Sequence, residues 1–246
     1  MSAFHSVVRL DLRGIQRDRV ALVTVAMSMV GALIITTLGV FQHRLPGWSE
    51  WFPFMIAVSL VGGPSGIGFL FGLLMVEEGD TGVRDALTVS PIRPTALILI
   101  RTVVATAWMC VWPLASIYLM NSTWQAVDLS LAQWLTVVLP LALLTPGFAL
   151  LIPTFARDKV GAVAVAKALS FVALIPLALY FVPEGAAYRW VFWLSPTGWV
   201  VEALRAFTVS PVSSGLLWGL GGVAYALALL VAAVHLFKRN VYRLHH

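Results

Sequence analysis

FMIAVSLVGGPSGIGFLFGLLMV, Phe54 to Val76, runs for 23 residues without a charged side chain and stops at the acidic pair Glu77-Glu78. A helix of about 20 apolar residues crosses a hydrocarbon core about 30 Å thick. Five further apolar stretches of similar length lie near 20–41, 97–120, 133–155, 162–182 and 215–237. The chain is 60% hydrophobic and only 11% charged, with a mean hydropathy of +0.91. Soluble domains carry about a quarter charged residues, so that class is excluded. The pattern predicts an all-α integral membrane protein with six transmembrane helices. It divides into an amphipathic interfacial helix over 1–19 and one membrane domain over 20–246.

Basic residues crowd into alternate connections. Arg9, Arg13, Arg17 and Arg19 precede the first span, and Arg84, Arg93 and Arg101 follow the second. Arg157, Lys159 and Lys167 follow the fourth, and Lys238, Arg239 and Arg243 follow the sixth. The other side holds Arg44, Arg189 and Arg205 alone. Basic loops stay in the cytoplasm, so both termini are expected there, in a cytoplasmic membrane. The net charge of +5 then faces anionic lipid rather than nucleic acid, because no basic segment is long enough to form a separate domain.

Local features refine this picture. Gly62/Gly66 and Gly68/Gly72 stand at the spacing that lets helix backbones approach in lipid, and packing within the subunit is the simpler use. Prolines 113, 140, 146, 153 and 176 fall inside spans and suggest kinks, since neighbouring helices can satisfy the freed carbonyls. Phe4, Val7, Val8 and Ile15 fall on one side of the basic first segment, as an interfacial helix requires. The first span is too long for a signal-peptide core and is read as retained. The lone Cys110 allows no intrachain disulfide.

The connection over 77–94, Glu77-Glu78-Gly79-Asp80-Thr81-Gly82 through Ser90-Pro91-Ile92-Arg93-Pro94, is the most informative. Its reading is a span that ends at the acidic pair, glycines that loosen the chain, and Asp80 or Thr81 capping a short helix. That helix carries Val83, Ala86, Leu87 and Val89 as its apolar positions and stops at Ser90-Pro91. From the residues alone, a docking element for a soluble partner and a tight turn lying on the membrane are both open.

The order Glu-Glu-Gly, Leu, Ser-Pro-Ile resembles the type-2 (exporter) permeases of ATP-binding-cassette transporters, including drug and antibiotic export permeases. Phe192-Trp193-Leu194-Ser195-Pro196-Thr197-Gly198-Trp199 through Glu202-Ala203-Leu204-Arg205 is similar to the element that family carries outside, before its last span. The likeness covers nearly the whole chain. It implies a permease that pairs with itself or a similar chain and binds two separate ATPase subunits. Those subunits would hold ATP and magnesium; this chain needs no cofactor or metal. The resemblance makes Glu77, Glu78, Asp80, Arg84, Asp85, Leu87, Ser90 and Pro91 the ATPase-coupling residues, with 156–159 as a lesser contact. It puts spans two and five along the cargo path, whose residues here are Phe54, Met55, Phe69, Phe71, Met75, Phe171 and Tyr180. That apolar lining favours a lipophilic or amphipathic small molecule.

The segment 183–214 mixes six aromatic residues with Pro183, Pro196 and Pro211, too apolar for a free loop and too broken for a span. Short re-entrant helices with Trp at headgroup depth suit it. Glu202 and Arg205, three apart on a helix, can pair at little gain in stability; the resemblance implies that they pin these external helices.

No G-x-x-x-x-G-K-[ST] loop occurs, so the chain is not expected to be an enzyme or to bind ATP itself. Ionisable groups deep in the spans are essentially missing; Lys167, read as one turn inside the fifth span, snorkels to its face. That argues against ion-coupled carriage. A glutamate-pair membrane protease lacks the intramembrane histidines it would need. The second reading is a secondary transporter, channel or scaffold without an ATPase.

Overall fold

The structure, a computed structural model, describes residues 33–41, 51–82, 94–124, 129–209 and 212–242, with positions 9, 13, 23 and 30. Residues 33–40 are helical. Then follow α1 (Phe52–Asp80), α2 (Pro94–Trp124), α3 (Leu131–Phe155) and α4 (Lys159–Leu174). Two 3₁₀ segments, Ile175–Tyr180 and Arg189–Leu194, precede α5 (Gly198–Val209). α6 (Val212–Phe237) ends in a π-helical turn over Lys238–Tyr242. Among the described residues there is no strand, and five helices are long and apolar enough to cross a membrane. The expected first span, 20–41, and the interfacial helix, 1–19, fall mostly outside the described residues.

α3 is the hub. It packs against α1, α2, α4, α5 and α6, and 72% of its most apolar window is buried inside the protein. Its start is a capping box: Ser130 N donates to Gln133 Oε1 at 2.7 Å, and Gln133 N donates to Ser130 Oγ at 3.4 Å. α3 keeps helical form through Pro140, Pro146 and Pro153, as α1 does through Pro64 and α2 through Pro113.

Glycines set the α1–α3 distance. A Cβ on Gly68 would lie 2.8 Å from Phe148 Cβ and 3.0 Å from the Thr145 carbonyl, and one on Gly72 would lie 2.8 Å from Ile152 Cβ. Only hydrogen fits there, so the Gly68/Gly72 pair serves packing within the subunit. Gly62 and Gly66, on another side of α1, face open space.

Pro176 changes the geometry of its helix rather than merely kinking it. It has no N–H, so the carbonyls three and four residues back, Ala173 and Val172, lose their donor in either helical register. α4 stops at Leu174 and the chain tightens into the 3₁₀ segment. Ser195 Oγ donates to Val172 O at 2.8 Å, and Thr197 Oγ1 donates to Ala173 O at 2.6 Å. The Ser-Pro-Thr turn thereby supplies donors to both carbonyls left open around the N–H that Pro176 lacks. α4 also begins at Lys159, so Lys167 stands in its third turn rather than one turn inside, and its side chain is exposed.

Candidate functional site

The basic end of the bundle differs from the expected layout in a way that matters. α1 does not stop at the acidic pair but continues to Asp80, with Gly79 in its last turn. Thr81 closes this helix instead of opening the next: its N–H and Oγ1 both donate to Glu77 O, at 2.9 and 2.8 Å. Gly82 follows at φ +72°, the left-handed turn that commonly ends a helix. An unbroken helix therefore carries both glutamates.

Glu78 takes a bidentate fork from Arg101 in the second turn of α2, with Arg101 Nη1 donating to Oε2 at 2.7 Å and Nη2 to Oε1. The Arg101 side chain is only 7% exposed. A guanidinium in such a place needs a carboxylate fully engaged with it, since an unpaired buried charge costs several kcal/mol. Its neighbour Glu77 accepts from Lys159 Nζ, at the head of α4, at 2.9 Å. Asp158 caps α4 by accepting from Gly161 N at 2.7 Å. Adjacent carboxylates thus hold α1 to two other helices. Asp80 is exposed beside them; Arg84, Asp85, Leu87, Ser90 and Pro91 lie outside the described residues.

The residues expected along a path separate into three groups. Phe54 and Tyr180 meet edge to face at 5.7 Å, inside an aromatic cluster with Trp51 and Phe181 at the opposite end of the bundle. The Tyr180 hydroxyl is buried there without a hydrogen-bond partner. Phe171, 69% exposed, and the half-buried Met55 and Phe69 stand at the protein's surface or just under it. Phe71 and Met75 are buried in the core of the protein, packed between helices.

At the aromatic end the expected Glu202–Arg205 pair does not form the pin. Glu202 is claimed by Arg189 of the second 3₁₀ segment, with Nε donating to Oε1 at 2.8 Å and Nη2 to Oε2 at 2.6 Å. Trp193 Nε1 adds a third donor at 3.2 Å. The Glu202 side chain is 6% exposed, so the planar fork of Arg189 meets its two oxygens better than a neighbour on the same helix can. Arg205 instead donates to Leu179 O and covers the Tyr180 ring at 5.8 Å. Both α5 residues pin, but each to a different segment. Trp193 and Trp199 then pack at a tilt against Trp218, and Trp199 stacks on Tyr225, which joins α5 and its approach to α6.

Residues 11–234 match the family model described as fluoroquinolones export permease protein Rv2686c-like. The chain belongs to that family. None of the curated proteins matches it. Family and fold agree that this is a membrane permease of the drug-efflux, antibiotic-resistance kind, consistent with an ATP-binding-cassette exporter component.

In the permease, then, sequence reading located Glu77 and Glu78 but not what they hold. Arg101 was counted as one more basic residue of a connection, yet it is the buried partner of Glu78. The signal lay in its distance of seven residues from Pro94, which places it inside a helix rather than before one. Arg189 had no local signal, because 13 residues separate it from Glu202. Among the described residues, no group of three or more His, Cys, Asp or Glu is placed to hold a metal ion.

Proposed function

We propose that the permease is the membrane subunit of an ATP-driven exporter, embedded in the cytoplasmic membrane with both termini inside. Two copies work with two separate ATPase subunits, which bind ATP and magnesium. The cargo is a lipophilic or amphipathic aromatic molecule of the fluoroquinolone kind, as the family description suggests. The observation that carries the coupling part is the last turn of α1, where Glu78 grips α2 and Glu77 grips α4. Force applied to the connection after Gly82 reaches three helices at once through that turn. Motion of an ATPase docked on Arg84, Asp85, Leu87, Ser90 and Pro91 would be passed on as a shift of packed helices, the kind of step that bistable interfaces amplify.

The cargo runs between the two copies. A Cβ on Gly62 or Gly66 of α1 would meet no atom outside its own helix within 4 Å, and Met55, Phe69 and Phe171 lie at or near the surface. The segment 183–214 re-enters the outer leaflet, where its indoles suit headgroup depth. Export is tested by fluoroquinolone accumulation in cells expressing the permease with its neighbouring genes, with and without a candidate ATPase. Lower accumulation only when both are present supports the reading. Lower accumulation from the permease alone, abolished by dissipating the proton gradient, would replace it with secondary transport.

A further inference from the structure

At the basic end a groove of about 400 Å³ opens between the first turns of α2 and the end of α6. Both helices pack on α3 but make little contact with each other, which leaves a furrow between them. Leu99 and Val231 in its lining are exposed, so it faces outward rather than toward another helix of this chain. Leu230, Val234 and Lys238 recur every fourth residue along one side of the α6 wall. That wall is about 12 Å long at 1.5 Å per residue. Its lining is aliphatic apart from Thr102 and, at the end of α6, Lys238. We propose that this groove holds one anionic phospholipid, with an acyl chain along the aliphatic walls and the phosphate on Lys238.

The sign of the headgroup follows from the charges at this end. Among the described residues its acids are Glu77, Glu78, Asp80 and Asp158. Glu77 holds Lys159, Glu78 holds Arg101 and Asp158 caps α4; none of the four lines the groove or pairs with Lys238. Lys238 and Arg239 are both exposed and open the π-helical turn. Phe237 and Val241, before and after them, are buried in the core, which fixes this turn and holds Lys238 at the groove. The groove therefore carries one cation, no anion and an aliphatic floor, the complement of an amphiphile with an anionic head. A lysine can lay its methylenes on the apolar wall while its ammonium reaches headgroup level. Basic sites between spanning helices at a cytoplasmic face suit anionic headgroups in the same way. Phosphatidylcholine offers the same chains and phosphate but brings a trimethylammonium toward Lys238 and Arg239, where like charges repel.

The leaflet concerned, the inner one, rests on the orientation proposed above; the binding itself needs neither that orientation nor an ATPase. The test uses the full chain purified in detergent and stripped of phospholipid. It is titrated with phosphatidylglycerol and with phosphatidylcholine of the same chains, and bound lipid is counted by native mass spectrometry. The expected result is one retained phosphatidylglycerol, preferred about tenfold or more, as one charge-assisted contact implies. Lys238→Gln should bring phosphatidylglycerol down to the level of phosphatidylcholine. Lys167→Gln, at an exposed lysine of α4 away from the groove, should leave the preference intact. Leu99→Trp places an indole in the groove and should lower retention of both lipids. Equal retention of the two lipids by the wild type overturns the proposal. So does the same loss from Lys167→Gln as from Lys238→Gln, which would mean diffuse attraction to the basic end. Displacement of the lipid by an equimolar fluoroquinolone would give the groove to cargo and overturn it as well. Lys238 and Leu99 are exposed, so their variants fold and each outcome is readable, and the accumulation assay stands or falls separately.

Discussion

Replacing Arg101 by methionine leaves the Glu78 carboxylate without its fork, at a site where the arginine itself was only 7% exposed. Stranding one member of a buried pair costs about 3–5 kcal/mol, whereas removing both members together is often close to neutral. Arg101→Met should therefore lower the thermal midpoint of the detergent-solubilised protein sharply, and Glu78→Met in that background should recover most of the loss. A double variant no better than the single one would mean the pair is not what holds α1 to α2. Lys159→Ala, by contrast, removes an ion pair whose members are 52% and 35% exposed, and should change the midpoint little. These residues show what a linear reading misses. Charge counting assigns Arg101 to a side of the membrane but is blind to a partner 23 positions away. Spacing rules offered Arg205 to Glu202 because both sit on one helix; the better geometry came from Arg189 in a separate segment.

Helices were legible where a property repeats locally. Apolar length located five of the six expected spans, while the Ser130–Gln133 capping box that starts α3 came from the structure. Their ends were less legible: the charges of Glu77 and Glu78 suggested a stop, but their partners let α1 run on to Asp80. The Pro176 break was legible as a proline, yet its repair was not, because Ser195 and Thr197 come from a different element. Ser195→Ala should cost about 1–3 kcal/mol by orphaning the Val172 carbonyl. Pro176→Ala supplies an N–H to that turn, so the cost of Ser195→Ala should shrink in its background. Thermal midpoints of the four proteins measure this coupling, and strictly additive effects would contradict it. Gly68→Leu should separate α1 from α3, because the carbonyl and Cβ it meets at 3.0 and 2.8 Å cannot turn aside. It should show as a loss of monodisperse protein in gel filtration. Gly62→Leu, with open space around it, should fold and yet lower export.

At the scale of the whole molecule, the permease is a bundle built on α3 whose two ends are fastened differently. The basic end is held by ion pairs that converge on one helical turn; the aromatic end is held by Arg189, Arg205, Ser195 and tilted indole contacts around α5. Only the first arrangement puts a connection expected to meet an ATPase in line with three helices. The family match supports drug export and leaves the motor to be found. The deciding measurement is co-purification of the tagged permease expressed with its neighbouring genes in a mild detergent, for the wild type and for Arg84→Glu combined with Asp85→Lys. The account predicts that an ATPase co-elutes with the wild type, that its hydrolysis rate rises in the complex, and that both are lost in the charge-reversed variant. A permease that exports fluoroquinolone while no ATPase co-elutes or is required would contradict it.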